Sequence, residues 1–190
     1  GNAMKNGIPV AIIGEPNVGK STLLNALLNE EKAIVSDIAG TTRDAIEDEI
    51  IIEGVAFRFI DTAGIRDAED VVESIGIQKA YEKAEKAQLI IFLIDSRGEN
   101  REKRLGEITA IKERFPNKRV LVIANKIDML SEASVTQLKA DIPDVLLLSA
   151  KQKLGIDQLK EALIALVNIG ALSNNETIVT NSRHFEALNN

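Results

Sequence analysis

Cysteine is absent from the 190 residues, so neither a disulfide framework nor a thiolate metal site can be built. Aromatic residues contribute only 3% against 45% hydrophobic residues overall, so the core must be assembled from Ile, Leu, Val and Ala. Long apolar runs are missing too. Residues 10–13, 89–94, 120–124 and 145–148 are apolar, but each falls far short of the ~20 residues that cross a bilayer. No charged start followed by an apolar stretch and a small-residue cleavage site marks a secretory signal. Gly1-Asn2-Ala3 before Met4 reads as an expression scar, and residues 1–7 as scar and leader. Basic charge is not in excess: 23 Lys and Arg face 29 Asp and Glu, for a net charge of −6. That argues against a large basic face and against direct DNA binding. The single histidine, His184, sits in a polar tail, where a solvated side chain is the plain reading. Together these absences point to a cytoplasmic protein with one domain of ordinary size and no membrane partner.

What is present is alternation. Residues 8–13 read as a buried strand, followed by a Gly-rich loop over 14–21 and a helix over about 21–29, with Leu23, Leu24, Leu27 and Leu28 at helical spacing. Residues 30–44 read as a loop. Residues 45–52 and 55–61 read as strands joined at Glu53-Gly54, a hairpin signal. A polar loop over 62–72 and a helix over 75–87 come next. The run 89–94 is wholly apolar, as a strand covered on both faces requires. Helix, strand, short helix, strand and helix then follow at 101–115, 119–124, from 131, 144–148 and 156–167. This order implies an α/β, Ras-like P-loop fold: a six-stranded mixed sheet, mostly parallel, with helices on both faces. The domain spans 8–170, and 171–190 form a polar C-terminal extension.

Gly14-Glu15-Pro16-Asn17-Val18-Gly19-Lys20-Ser21 fits G-x-x-x-x-G-K-[ST] between a strand and a helix. Glycines let the backbone curl until successive N–H groups point at phosphate, and the helix N-terminus adds positive potential. Lys20 would place its ammonium on the β- and γ-phosphates, and the Ser21 hydroxyl would ligate Mg²⁺. The phosphate-binding set is then Gly14, Asn17, Val18, Gly19, Lys20, Ser21 and Thr22. Asn125-Lys126-Ile127-Asp128 follows the fifth strand. An Asp128 carboxylate accepts from guanine N1–H and the 2-amino group. Adenine offers neither donor and would leave the charge unpaired, so the motif points to GTP and GDP. Asn125 would bond the base edge and hold the phosphate loop, while the Lys126 stem packs over the base. Ser149-Ala150-Lys151 follows the sixth strand, and the Ala150 N–H is expected on guanine O6. Asp61-Thr62-Ala63-Gly64 ends the third strand: Asp61 would orient Mg²⁺ through water, and Gly64 would offer its N–H to the γ-phosphate. One threonine in Gly40-Thr41-Thr42-Arg43-Asp44 should cap Mg²⁺ and the γ-phosphate. A solvated loop carrying N-cap residues is the plainer alternative there. Ile65 follows Gly64 and cannot orient water, a task for which many such enzymes use glutamine, so another group must serve. Glu73 is an ionisable candidate, although a helix N-terminal glutamate favoured by the dipole explains it equally.

In this order the motifs resemble the Era, Der and MnmE group of GTPases. The finer sequence resembles the G domain of the MnmE, or TrmE, family of tRNA-modification GTPases. The carrying residues are Gly14 to Asn17, then Ile34 through Asp44, then Asp61 through Asp67, then Val72 through Ile77. Asn181-Ser182-Arg183-His184 resembles the segment where that family's chain returns to its helical domain. The resemblance implies that Asn17 helps coordinate K⁺, with the backbone carbonyls of Ser36 and Ile38 completing the site. It implies Thr42 as the Mg²⁺ threonine and Glu73 as a group that orients the attacking water through a second water. The catalytic set it implies is Lys20, Thr42, Gly64 and Glu73. It further implies a transient homodimer of G domains, with MnmG and tRNA as partners of the parent protein. The family's folate-binding domain, helical domain and C-terminal Cys motif are absent from this sequence. The chain therefore reads as an excised G domain that does not modify tRNA by itself. A ribosome-assembly GTPase of the Era or Der kind and a slow GTP-binding switch are the rival readings.

Overall fold

A computed structural model of the chain describes residues 7–15, 18–35, 48–67, 76–97 and 100–174. Strand β1 (Ile8–Gly14) leads through the phosphate loop into α1 (Lys20–Val35). Then come β2 (Asp48–Ile52), β3 (Val55–Phe59), α2 (Thr62–Asp67), α3 (Gly76–Lys86) and β4 (Leu89–Asp95). The rest is α4 (Arg101–Arg114), β5 (Arg119–Asn125), a 3₁₀ turn (Ile127–Met129), α5 (Glu132–Asp141), β6 (Leu146–Leu147) and α6 (Ile156–Asn174). The sheet has six strands in the order β2-β3-β1-β4-β5-β6. Among the described strand pairs, only β2–β3 is antiparallel. Its tight turn places Glu53 at φ 49° and Gly54 at φ 82°, the left-handed pair that matches strand twist in a two-residue hairpin.

The apolar strands are buried on both faces because two cores flank the sheet. Ile8, Val10, Ile12, Ile91, Leu93 and Ile123 point to one side, where Leu23, Leu24 and Leu27 of α1 and Ile156, Leu159 and Leu163 of α6 cover them. Ala11, Ile13, Ile90, Phe92, Ile94 and Val122 point to the other, beneath Ala84 of α3, Ile108 and Ile111 of α4 and Leu138 of α5. Leu23, Leu24 and Leu27 are fully buried, each contributing about 1.5–3 kcal/mol on transfer from water. The Asn100 side chain caps α4 by accepting from the Lys103 N–H, and Ser131 caps α5 from the Ser134 N–H.

Several boundaries differ from the sequence reading. The first helix continues to Val35 rather than fraying at 29, because 30–35 hold Glu, Lys and Ala and neither Gly nor Pro. Residues 62–67, expected as loop, form α2. Ile65 buries itself in the same core as Leu23 to Leu28, and that packing outweighs the helix-weakening Gly64. The last helix runs to Asn174 through Gly170 instead of ending at 167, so it crosses the expected boundary at 170. An isolated glycine costs a helix only about 1 kcal/mol. Strand β6 shrinks to two residues, although the Leu148 N–H still donates to Ala124 O at 3.0 Å.

The order places β1 between β3 and β4. Chain connections diverge from that point, and the crevice beyond the carboxyl ends of the strands is where ligands bind in such sheets. Gly14, Asp95 and Asn125 end β1, β4 and β5 there, with Ser149 just beyond β6.

Candidate functional site

The phosphate loop is held by close backbone approaches that only glycine permits. A Cβ at Gly14 would collide with the Leu93 carbonyl oxygen, and one at Gly19 with the Asn125 side-chain nitrogen. Gly19 also stands at φ 97°, in left-handed space. Its carbonyl accepts the Leu23 N–H at 2.9 Å, which starts α1 at Lys20. The Lys20 ammonium arches back over the loop, donating to Gly14 O at 2.8 Å and Glu15 O at 3.3 Å. Val18 is buried, Ser21 half-buried and Thr22 exposed on the first turn.

Asn125 is the joint of the site. It is 3% exposed. Its Nδ2 donates to Val18 O at 2.9 Å, and its Oδ1 accepts the Ala150 N–H at 2.9 Å. Its own carbonyl accepts the Ser96 N–H at 3.0 Å. One side chain therefore ties the phosphate loop to the Ser149-Ala150-Lys151 loop. The expected hold on the phosphate loop is present. The Ala150 N–H, the group expected on guanine O6, lies on Asn125 Oδ1.

The Ser149 loop is built tightly. Ser149 and Leu154 exchange backbone bonds at 3.0 and 2.9 Å, and Ser149 Oγ accepts the Gln152 N–H at 3.2 Å. Lys151 projects outward and is exposed. The Ile127 N–H donates to Leu148 O at 3.2 Å and docks the Asp128 turn against this loop. Asp128 is exposed on that turn. Lys126 adopts φ 68°, ψ 30°, a left-handed conformation uncommon for a side-chain-bearing residue, and thereby turns the chain after β5.

Asp95 was not singled out from sequence. It ends β4 directly opposite Asn125, and its carboxylate bonds Lys126 Nζ at 3.2 Å. Arg97 grips the same carboxylate through Nε at 3.1 Å, Nη2 at 2.9 Å and its backbone N–H at 2.9 Å. Partial burial pushes the Asp95 carboxyl up. The bonds from Arg97 and then Lys126 outweigh that and hold it at about 2. The available signal was a charged residue closing an otherwise apolar strand at the binding edge of a parallel sheet.

A cavity of about 190 Å³ opens beside the phosphate loop, between Glu15, Val18, Asp95 and the Asn100, Lys103, Arg104 and Glu107 side of α4. Lys103 bridges to Glu15 across it at 3.2 Å. Burial, with the Glu15 charge beside it, raises the Glu107 carboxyl.

Asp61 is exposed at φ 53° after β3, and Gly64 is exposed on α2, where a side chain would face open space. The hydroxyl of Ser21 and the carboxylate of Asp61 are hard oxygen donors of the kind Mg²⁺ takes. Among the described residues no group of three His, Cys, Asp or Glu could hold a metal by itself. Asn17, Ser36, Ile38, Thr42, Glu73 and His184 lie outside the described residues. No helix among the described residues is long and apolar enough to cross a membrane.

The family described as 50S ribosome-binding GTPase matches residues 9–126. The chain is 60% identical over 191 residues to the tRNA modification GTPase MnmE of Flavobacterium psychrophilum, covering 99% of this chain and 41% of that protein. It thus spans about two fifths of the curated relatives it matches. Among solved structures it resembles a variant of Era from Aquifex aeolicus bound to GDP and AlF₄⁻, at TM-score 0.53 and 27% identity over 83% of this chain and 56% of that one. It shares its fold with elongation factor SelB of Methanococcus maripaludis in complex with GppNHp, at TM-score 0.59 and 20% identity over 85% of this chain and 34% of that one.

Proposed function

This chain belongs to the family of 50S ribosome-binding GTPases and is a GTPase domain of the α/β P-loop fold, and from that premise we propose that it works as the G domain of an MnmE-type tRNA-modification protein. The observation that carries the nucleotide site is the Asn125 joint, which locks the phosphate loop, the Asn125–Asp128 turn and the Ser149 loop into one edge. In this reading Asp128 selects guanine and the Lys126 stem covers the base. The N–H groups of Val18 to Thr22 cradle the phosphates, joined by Gly14 and by the Lys20 ammonium once it swings from its loop carbonyls. Ser21 and Asp61, with Thr42, would hold Mg²⁺, which supplies charge neutralisation at the phosphates.

Hydrolysis places a water in line with the γ-phosphorus. The new P–O bond forms as the bond to the β–γ bridging oxygen breaks, leaving GDP and phosphate. Lys20 stabilises the charge that gathers on the leaving oxygens, and the Gly64 N–H meets a γ-phosphate oxygen. Glu73 orients the water through a second water. Asn17, with the Ser36 and Ile38 carbonyls, would hold K⁺ where other GTPases insert an arginine, an aid worth about 10³–10⁵ in rate. Two G domains would pair transiently in that state. MnmG and tRNA are the partners proposed for the parent protein in the cytoplasm, where turnover would serve wobble-uridine modification. The MnmE relative, 60% identical over nearly the whole chain, supports this assignment.

The family's description and the likeness to Era favour one second reading, a ribosome-assembly GTPase. Single-turnover hydrolysis and light scattering in matched KCl and NaCl, with GDP and aluminium fluoride, decide between them. Faster turnover and a dimer only in KCl are expected. Equal rates and no dimer in either salt would sink the K⁺-dependent MnmE-type mechanism, and a near-zero rate in both would leave a binding switch.

A further inference from the structure

The guanine motif contains a lysine in an awkward position. Lys126 carries a left-handed backbone, and its side chain is only 28% exposed, so its long stem must be held along the protein surface rather than left to sweep solvent. What holds it is a carboxylate from the neighbouring strand. Asp95 and Asn125 are register partners in β4 and β5. The Ser96 N–H on Asn125 O, at 3.0 Å, fastens the two strand ends just where Lys126 departs. The Asp95 carboxylate then reaches Lys126 Nζ at 3.2 Å. Arg97, two residues on, fixes that carboxylate by three bonds of 2.9 to 3.1 Å, so Asp95 cannot rotate away from the lysine. The guanidinium is also close enough to feel the charge of Asp128. Two carboxylates and two cations thus interleave around the turn expected to receive the base.

We propose that Asp95, oriented by Arg97, is a positioning residue for the guanine nucleotide: it anchors the Lys126 ammonium so that the lysine stem lies preset as the wall on which the base packs. The inference rests on the assignment of Lys126 and Asp128 to the base. Preorganisation of this kind acts on binding and not on phosphoryl transfer, because the base sits at the far end of the nucleotide from the reacting phosphorus. GDP and GTP must therefore feel it equally, and only through Lys126.

The test is a double-mutant cycle on the whole chain, with GDP and GTP affinities from stopped-flow release of a fluorescent nucleotide and steady-state hydrolysis alongside. Asp95→Asn should weaken GDP and GTP alike by on the order of fivefold, the size of one partly exposed ion pair, mainly through faster release. KM should rise with kcat unchanged. In a Lys126→Met background the same substitution should change nothing further, since the group it acts through is gone. Asp95→Ser serves as the second variant should the asparagine perturb folding, which apo melting curves report. An equal loss in both backgrounds, a fall in kcat at constant KM, or unchanged affinity would overturn the proposal. Asp128→Asn is the control for the reading beneath it. If Asp128→Asn leaves GDP affinity intact, the base assignment itself fails; if it weakens GDP while Asp95→Asn does not, only the positioning role fails.

Discussion

Replacing Asn125 by alanine removes two hydrogen bonds that no other residue can supply. The carbonyl of Val18 loses its donor and the amide of Ala150 loses its acceptor. Val18 and Ala150 are 4% and 2% exposed, so water has poor access to either orphan. A buried polar group left unpaired costs about 1–3 kcal/mol, which makes the pair worth roughly 2–6 kcal/mol against a total stability of about 5–15 kcal/mol. In a chain of this size that lowers the melting temperature by roughly 5–20 °C. The assay is thermal melting of nucleotide-free protein, so that lost ligand contacts cannot contribute. Asn125→Asp sharpens it: the carboxylate still accepts from Ala150 but faces the Val18 carbonyl with no donor. It should therefore destabilise through the phosphate loop alone. If apo Asn125→Ala melts within about 2 °C of wild type, the smallest drop expected from 1 kcal/mol, while GDP affinity collapses, the residue acts on the ligand only and the joint described above is wrong.

Asp128→Asn should weaken GDP and raise affinity for xanthosine diphosphate, because an acceptor becomes a partial donor; calorimetry showing no change in the ratio of the two would refute guanine selection by this carboxylate. Asp95 is held at about 2 in the fold against 3.8 for the free group, so the folded chain binds fewer protons than the unfolded one across that window. Its stabilisation is complete above pH 4 and fades as pH falls toward 2, and denaturant titrations of wild type and Asp95→Asn should converge over that range. Gly64→Ala places a methyl in open space on α2 and should leave stability unchanged or raised by about 0.5–1 kcal/mol. Gly64→Pro, which removes the N–H expected on the γ-phosphate, should slow single-turnover hydrolysis, and an unaltered rate would remove that contact. Glu73→Ala should slow turnover in KCl with GTP affinity preserved, and unchanged turnover would exclude the glutamate from the mechanism.

What could be read from sequence was whatever is carried by short-range spacing. The strands announce themselves because both faces are buried, so their apolar runs are unbroken. The phosphate loop and the Asn125–Asp128 turn are each eight residues or fewer, and their order along an alternating chain fixes which end of the sheet they share. The Asp95 carboxylate on Lys126 stayed hidden because it joins the ends of two strands separated by α4, and no local pattern ties them. Helix α2 was missed for a related reason. Thr62-Ala63-Gly64 has the composition of a loop, and the segment is helical because Ile65 finds the α1 core. Nothing in Ser149-Ala150-Lys151 reveals that Asn125 Oδ1 stands 2.9 Å from the Ala150 amide.

On the proposed site, the joint at Asn125 would also decide how the two ends of a nucleotide communicate. The base end and the phosphate end would be independent if separate loops served them, and their contributions to affinity would add. Here one amide side chain bonds Val18 of the phosphate loop while its backbone leads directly into Lys126 and Asp128. A base bound against Lys126 and Asp128 therefore restricts the same side chain that holds the phosphate loop closed. Phosphates bound at Lys20 and Ser21, as proposed, would restrict it from the other side. Groups that share a partner do not contribute additively, and coupling of about 0.5–3 kcal/mol is the usual range for residues in one hydrogen-bonded network. The loss of GDP affinity on combining Asp128→Asn with Ser21→Ala should accordingly differ from the sum of the single losses. The buried bonds on both sides of Asn125 make that coupling a property of the sheet edge, present before any nucleotide arrives.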